Sequence, residues 1–285
     1  MGWGYRFSDR FRSIEETPEP FRQALLEIVP PQESVRLLVH SPPDFILGTR
    51  RPGTLLTVTD RRWLIVYENA DETTTVAEAS FTDTLLVELT TILLYGQLRL
   101  RYVGESSGRS AAVEFNTVWE EYYREAAHLV LHSIGDAPEG PASDREHVLS
   151  FLEDWPLKFL NAALRYLPPG HRLREAVHWP AVCGKWHREL APAAALLLTD
   201  RAVLLISEEK ATLWRRLRGG QKYGQIATYI PLVRLAGVGL GEREGCGVLD
   251  MEIRTGRGKE KLDALLPLAA MPAVSRLMNL ALHPE

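Results

Sequence analysis

Leu56-Thr57-Val58-Thr59-Asp60-Arg61-Arg62-Trp63-Leu64-Ile65-Val66 returns as Leu196-Leu197-Leu198-Thr199-Asp200-Arg201-Ala202-Val203-Leu204-Leu205-Ile206, 140 residues later. In each passage an apolar run breaks at Thr-Asp-Arg and resumes at once as a second apolar run, the pattern of two strands joined by a tight turn. Upstream, Leu26-Glu27-Ile28-Val29-Pro30-Pro31 recurs as Leu164-Arg165-Tyr166-Leu167-Pro168-Pro169 at an offset of 138, which also carries Phe21 onto Phe159. Two matches in the same order, with a spacing change of two residues, point to a duplicated domain. The expected organisation is an N-terminal arm over 1–17, a first domain over 18–135, a linker over 136–150 and a second domain over 151–285.

Within the first copy, apolar residues 21, 24, 25, 28 and 29 form a helical stripe that Pro30-Pro31 stops, because proline lacks a donor and forces its predecessor out of the helical region. Strand-like runs follow near 34–40, 45–49, 54–59, 62–68, 73–80, 85–94, 97–103 and 111–115. Val118, Tyr122, Ala126 and Leu129 then lie on one helical stripe. The second copy has a helix over 156–167 and strands near 171–178, 186–191, 194–199, 202–208, 211–215, 224–230, 232–240 and 247–254. Its last segment, from about 260 to 282, has helical composition interrupted by Pro267 and Pro272. Trp3, Tyr5, Phe7 and Phe11 give the arm aromatic handles for packing on a domain surface. Gly135 to Asp144 is rich in Pro, Gly and acids, as linkers are.

The chain has 285 residues and a formal charge of -4. Residues 18–135 hold 10 Arg and no Lys against 16 acids, whereas 151–285 hold 19 Lys plus Arg against 14 acids. The halves thus carry -6 and +5, and every Lys stands at or beyond Lys158. This imbalance fits two copies that attract one another, or a second copy that meets an anionic partner. No apolar run approaches membrane-spanning length and the N-terminus is too polar for a signal segment, so a cytoplasmic protein is expected. Cys183 and Cys246 fall in one copy without counterparts in the other, which argues against a disulfide framework.

A helix, about seven antiparallel strands and a closing helix, with Thr-Asp-Arg hairpins at 55–65 and 196–205, resemble bacterial pleckstrin-homology-like (PH-like) and GRAM-like domains. The resemblance covers 20–134 and 156–283. It implies an α+β, mainly β fold: two PH-like barrels, each a curved sheet of about seven strands with an N-terminal helix and a C-terminal capping helix. It also implies binding rather than catalysis. Eukaryotic members of the wider fold take phosphoinositides through basic residues in the loop joining their first two strands; the basic cluster of this chain lies later, after the fourth strand, so that role does not carry over to it.

Asp60 and Asp200 recur at the same turn, so they are read as side chains bonding local backbone rather than as an acid/base pair. The glycine-dense segment Gly237 to Gly247 lacks the spacing of a phosphate loop and runs into a strand, which makes it a hairpin. His178, Cys183 and His187 are too few for a zinc site without a second ligand pair. No Gly-x-Ser-x-Gly, His-Glu-x-x-His or Cys-x-x-Cys occurs, so neither catalysis nor a cofactor or metal is expected.

One surface segment stands out. Arg215, Arg216, Arg218 and Lys222 alternate with Trp214 and Tyr223 around Gly219-Gly220, a composition suited to phosphate or to a membrane interface, though also to a plain solvated hairpin tip. Arg50-Arg51 is a shorter cluster in the acidic half. The leading expectation is a non-enzymatic scaffold that binds another protein or itself. The alternative is a peripheral binder of anionic lipid headgroups through the basic hairpin. A charge of +5 is modest for nucleic-acid binding, which is not expected.

Overall fold

The computed structural model describes residues 8–46, 49–71, 73–104, 108–134, 145–183, 189–208, 224–256 and 258–283. The chain is mainly β with antiparallel pairing, and it divides into two compact units. The first comprises residues 1–84 and 94–134; the second comprises 85–93 and 135–285.

The first unit begins with β1 (Asp9–Phe11) and α1 (Phe21–Ile28). Strands β2 (Val35–Ser41), β3 (Asp44–Ile46), β4 (Thr49–Arg51), β5 (Thr54–Thr59), β6 (Arg62–Glu68) and β7 (Thr74–Ser80) follow. They form a five-stranded sheet in the order β1-β2-β5-β6-β7, with β3 and β4 as a separate small hairpin. A 3-10 turn over Phe81–Asp83 ends this sheet. After β8 (Thr84–Ile92), β9 (Tyr95–Val103) and β10 (Gly108–Asn116) pair as a hairpin, and α2 (Glu120–Ile134) closes the unit.

Helix α1 buries Phe21, Ala24 and Leu25, an i, i+3, i+4 stripe, against Leu38, Leu55, Leu64 and Val66 of the sheet. Phe21 and Leu25, once fully buried, each contribute roughly 1.5–3 kcal/mol. The helix stops where expected: Val29 turns extended ahead of the two prolines while its amide still bonds Leu25 O at 2.8 Å. Polar ties hold β10 to the sheet, since Ser41 Oγ donates to Glu114 O at 2.7 Å and the Tyr67 hydroxyl bridges the Ala112 amide and carbonyl. Gly96 is forced by packing, because a Cβ there would fall on the Phe115 ring, itself stacked on Tyr123 at 3.9 Å.

In the second unit α3 (Arg145–Phe151) and α4 (Leu157–Tyr166) lead into β11 (Leu173–Trp179), β12 (Val182–Cys183), β13 (Glu189–Ala191), β14 (Ala194–Thr199), β15 (Ala202–Glu208) and β16 (Gly224–Pro231). Its main sheet runs β8-β16-β15-β14-β11. Strand β8 follows β7 in the chain, yet Leu85–Leu93 belong to this unit. After a 3-10 turn at Leu232–Arg234, β17 (Leu235–Arg243), β18 (Cys246–Thr255) and β19 (Gly258–Leu266) make a three-stranded sheet, closed by α5 (Met271–Leu282).

The strand pairing of the two units agrees in detail. Val35 faces Thr59, a bulge follows at Arg36, and Leu37 faces Val58; Leu173 faces Thr199, a bulge follows at Arg174, and Glu175 faces Leu198.

Expectation and structure differ at three points. The strands of a unit do not form a single curved sheet of about seven, and no sheet among the described residues closes into a barrel. The 3-10 turns interrupt the ladders after β7 and β16, so the strand that follows does not continue the sheet just left. The segment expected to be helical from about 260 is strand through Leu266, and helix begins only at Met271. Lys259-Glu260-Lys261-Leu262 suits either state, and nine paired positions with β18 decide for the strand. The expected first domain, 18–135, contains residues 85–93, which group with the second unit.

Candidate functional site

The basic segment singled out above, Trp214, Arg215, Arg216, Arg218, Lys222 and Tyr223, lies outside the described residues, as does His187. Arg50 and Arg51 sit in β4, with their backbones opposite Phe45 and Asp44. His178 packs against the rings of Trp155 at 5.0 Å and Phe159 at 6.1 Å. Among the described residues no group of three His, Cys, Asp or Glu converges as metal ligands do. The glycine-dense segment is the β17–β18 hairpin, with Glu244 and Gly245 in its turn at φ +53° and +76°. Those left-handed angles fit a two-residue hairpin loop, and glycine takes the second at no steric cost.

The two Thr-Asp turns are built alike. Thr59 Oγ1 accepts from the amides of Arg61 and Arg62 at 3.1 and 3.0 Å; Thr199 Oγ1 accepts from Arg201 and Ala202 at 3.2 and 2.9 Å. Asp60 Oδ1 accepts from Ser34 N at 3.1 Å, and Asp200 Oδ1 from Arg172 N at 2.9 Å. Both aspartates therefore bond backbone, but across to the segment entering the neighbouring strand; the bonds within the turn belong to threonine.

Around these turns the polar partners differ. In the first unit Glu33 is buried, and Thr59 Oγ1 donates to its Oε1 at 2.7 Å. Arg62 grips the same carboxylate bidentately, Nε to Oε1 at 3.0 Å and Nη2 to Oε2 at 3.1 Å. Its guanidinium also donates to Ile28 O at 2.8 Å and to Glu78 Oε2 at 2.6 Å. Burial pushes the Glu33 carboxyl up, but the hydrogen bonds from Arg62 and Thr59 and the Arg62 charge outweigh it and hold it below the ordinary glutamate range. Three hydrogen bonds, two on Oε1 and one on Oε2, thus hold this carboxylate in place.

In the second unit His171 stands at the place of Glu33, with Nδ1 3.1 Å from Thr199 Oγ1. Ala202 stands at the place of Arg62. The carbonyl near the helix end, Tyr166 O, instead accepts from the Tyr229 hydroxyl at 2.8 Å. Sequence matching located the shared turns, but the triad of Glu33, Arg62 and Glu78 joins three distant segments by side chains that the second copy replaces, so no repeated motif marks it.

Buried tyrosine adds a second polar locus in the first unit. Tyr123 OH lies 3.0 Å from Ser8 Oγ. Burial pushes its phenol up to about 12, against the opposing effect of hydrogen bonds with Ser8 and Ser41. Tyr123 thus stays a neutral packing element.

The sheet edges differ in how they are finished. The outer edge of β2 is covered by β1, with Arg10 opposite Val39 and Phe11 opposite Leu38. On β11 the outward amide of Ala176 is met by Glu175 Oε1 at 3.2 Å, and that carboxylate is held by Arg276 of α5 at 3.4 Å. Charged side chains of this sort blunt an edge. The outer edges of β7 and β17 carry no such cover: among the described residues no strand pairs with either. Such edges are places where the backbone can recognise another chain.

No helix among the described residues is long and apolar enough to cross a membrane. No protein-family model matches the chain, and no curated protein matches it.

Proposed function

We propose that the chain is a non-enzymatic tandem PH-like protein whose two copies present surfaces for protein–protein interaction. The sequence repeat, the shared pairing register with its bulge at Arg36 and Arg174, and the identical Thr-Asp turns support a duplicated scaffold. Each unit orders its elements as helix, strands, 3-10 turn, strands, 3-10 turn and helix, which is compatible with the PH-like resemblance. The observation that carries the binding reading is the pair of long edges, β7 and β17, that no strand among the described residues covers. Backbone donors and acceptors in a row give affinity to any extended segment laid beside them, and flanking side chains give selectivity.

Affinity capture with the full chain, run beside flotation on phosphatidylserine vesicles at low salt, tests this reading. The expected result is saturable capture of a protein, a second copy of the chain included, with no flotation. Flotation that disappears when Arg215, Arg216, Arg218 and Lys222 are reversed in charge would replace it with the lipid reading. Turnover by a pure preparation would refute it in favour of an enzyme.

A further inference from the structure

We infer that copies of this chain join head to tail, β17 of one molecule adding to the outer edge of β7 in the next. The inference rests on the binding reading above and names its partner as a second copy. Its template lies within the second unit. There β8 lies antiparallel along β16, with Val87 opposite Tyr229, Leu89 opposite Ala227 and Thr91 opposite Gln225.

A displacement of 151 residues, from Ser80 to Pro231 and from Thr84 to Leu235, carries β7 onto β16 and β8 onto β17. In both cases a three-residue 3-10 turn separates the strands. Among the described residues the chain therefore uses the β8-on-β16 pairing once and leaves the equivalent strands, β17 and β7, each with an open edge. Transferring the template register sets Val238 opposite Glu78, Leu240 opposite Val76 and Glu242 opposite Thr74 of a neighbouring molecule.

The backbone alternation of the two edges agrees with that register. Asn69 N donates to Thr73 O at 2.8 Å, closing the β6–β7 hairpin. Counting along the ladder from there, Thr75 and Ala77 bond β6, while Thr74, Val76 and Glu78 turn their amides and carbonyls outward. On β17 the two-residue loop makes Arg243 and Cys246 the first hydrogen-bonded pair, so Gly241 and Gly239 bond β18, and Val238, Leu240 and Glu242 face out. The outward residues of one edge are thus the ones the template sets against the outward residues of the other.

Side chains and charge fit as well. Leu240 would meet Val76, both half-buried apolar residues, and Gly239 would meet Ala77, where small groups allow close approach. The acidic half, at -6, would receive the basic half, at +5, of the next molecule. Because the two edges are different surfaces, the contact is heterologous and does not close at a dimer unless a ring forms.

Sedimentation of the full chain over rising concentration tests this. The weight-average mass should rise past the dimer and fall back as salt is added. Leu240→Pro and Val76→Pro each remove an outward amide without touching the ladder to β18 or β6, the position an edge strand tolerates. Each variant alone should be monomeric, and an equimolar mixture should stop at a discrete dimer, since each supplies the edge the other lacks. Val76→Lys and Leu240→Lys, which keep the backbone and put an ammonium group into the apolar contact, serve if a proline variant loses its far-UV circular dichroism. A monomer at every concentration and salt overturns the inference while leaving capture of a different protein as a separate result. A dimer that either single variant still forms, or variants that fail to complement, also overturns it.

Discussion

Arg62→Leu is expected to destabilise the first unit by about 3–5 kcal/mol, as when one partner of a buried ion pair is removed. Glu33 has a side chain only 3% exposed, so its carboxylate would lose its cation without gaining water. Ile28 O would lose its donor at the same time. The loss is large beside a total stability of roughly 5–15 kcal/mol for a native domain. Glu78→Gln should cost less than about 1 kcal/mol, because that carboxylate is 45% exposed and its bond to Arg62 is screened by solvent. Acid should act on the same pair. Glu33 has a lowered folded pKa, so its contribution is complete above the ordinary glutamate range and declines as pH falls through that range toward the lowered value. Urea denaturation of wild type should show that decline and Arg62→Leu should show less of it. An Arg62→Leu variant within 1 kcal/mol of wild type would contradict this account of the pair.

Trp63→Ala should cost a similar amount, about 3–5 kcal/mol, by leaving a cavity in the core of the first unit. Trp63 is fully buried, stands edge-on to Tyr102 at 5.1 Å, and donates from Nε1 to Thr84 Oγ1 at 2.8 Å. Trp63→Phe keeps most of the volume and should cost about 1 kcal/mol for the hydrogen bond. Thr84 is not orphaned in that variant, because its hydroxyl still donates to Ser80 O at 3.0 Å. Equal losses for the two substitutions would mean that the indole bond, and not its volume, dominates.

Much of the fold was legible because the signals are local. Strand limits at 54–59, 62–68, 194–199 and 202–208 coincide with the observed ones, since each is an apolar run bounded by the Thr-Asp turn or by Gly and Pro. The stops of α1 and α4 follow from proline pairs. What escaped depends on partners distant in sequence. Residues 85–93 read correctly as a strand, but nothing in Leu85-Leu86-Val87-Glu88-Leu89 tells which unit holds it. The segment 45–49 reads as one strand, whereas β3 and β4 face each other as a hairpin. Lys259 to Leu266 has helix-forming composition, and only the ladder with β18 makes it a strand. Edge positions are invisible for the same reason: β7 and β17 look like ordinary strands until their neighbours are known. Arg62 lies in the repeated stretch, but Ala202 replaces it in the second copy, so matching alone gave no reason to single it out.

Duplication predicts that corresponding parts are interchangeable, and the polar triad offers the sharpest trial. Glu33, Arg62 and Glu78 in the first unit occupy the places of His171, Ala202 and Tyr229 in the second, where His171 meets the turn threonine and the Tyr229 hydroxyl meets the carbonyl at the helix end. The decisive measurement is the urea stability of Glu33→His/Arg62→Ala/Glu78→Tyr beside Arg62→Ala alone. If the halves are copies of one scaffold, the triple variant regains a substantial part of what the single one loses. A triple variant no more stable than Arg62→Ala would contradict the shared scaffold.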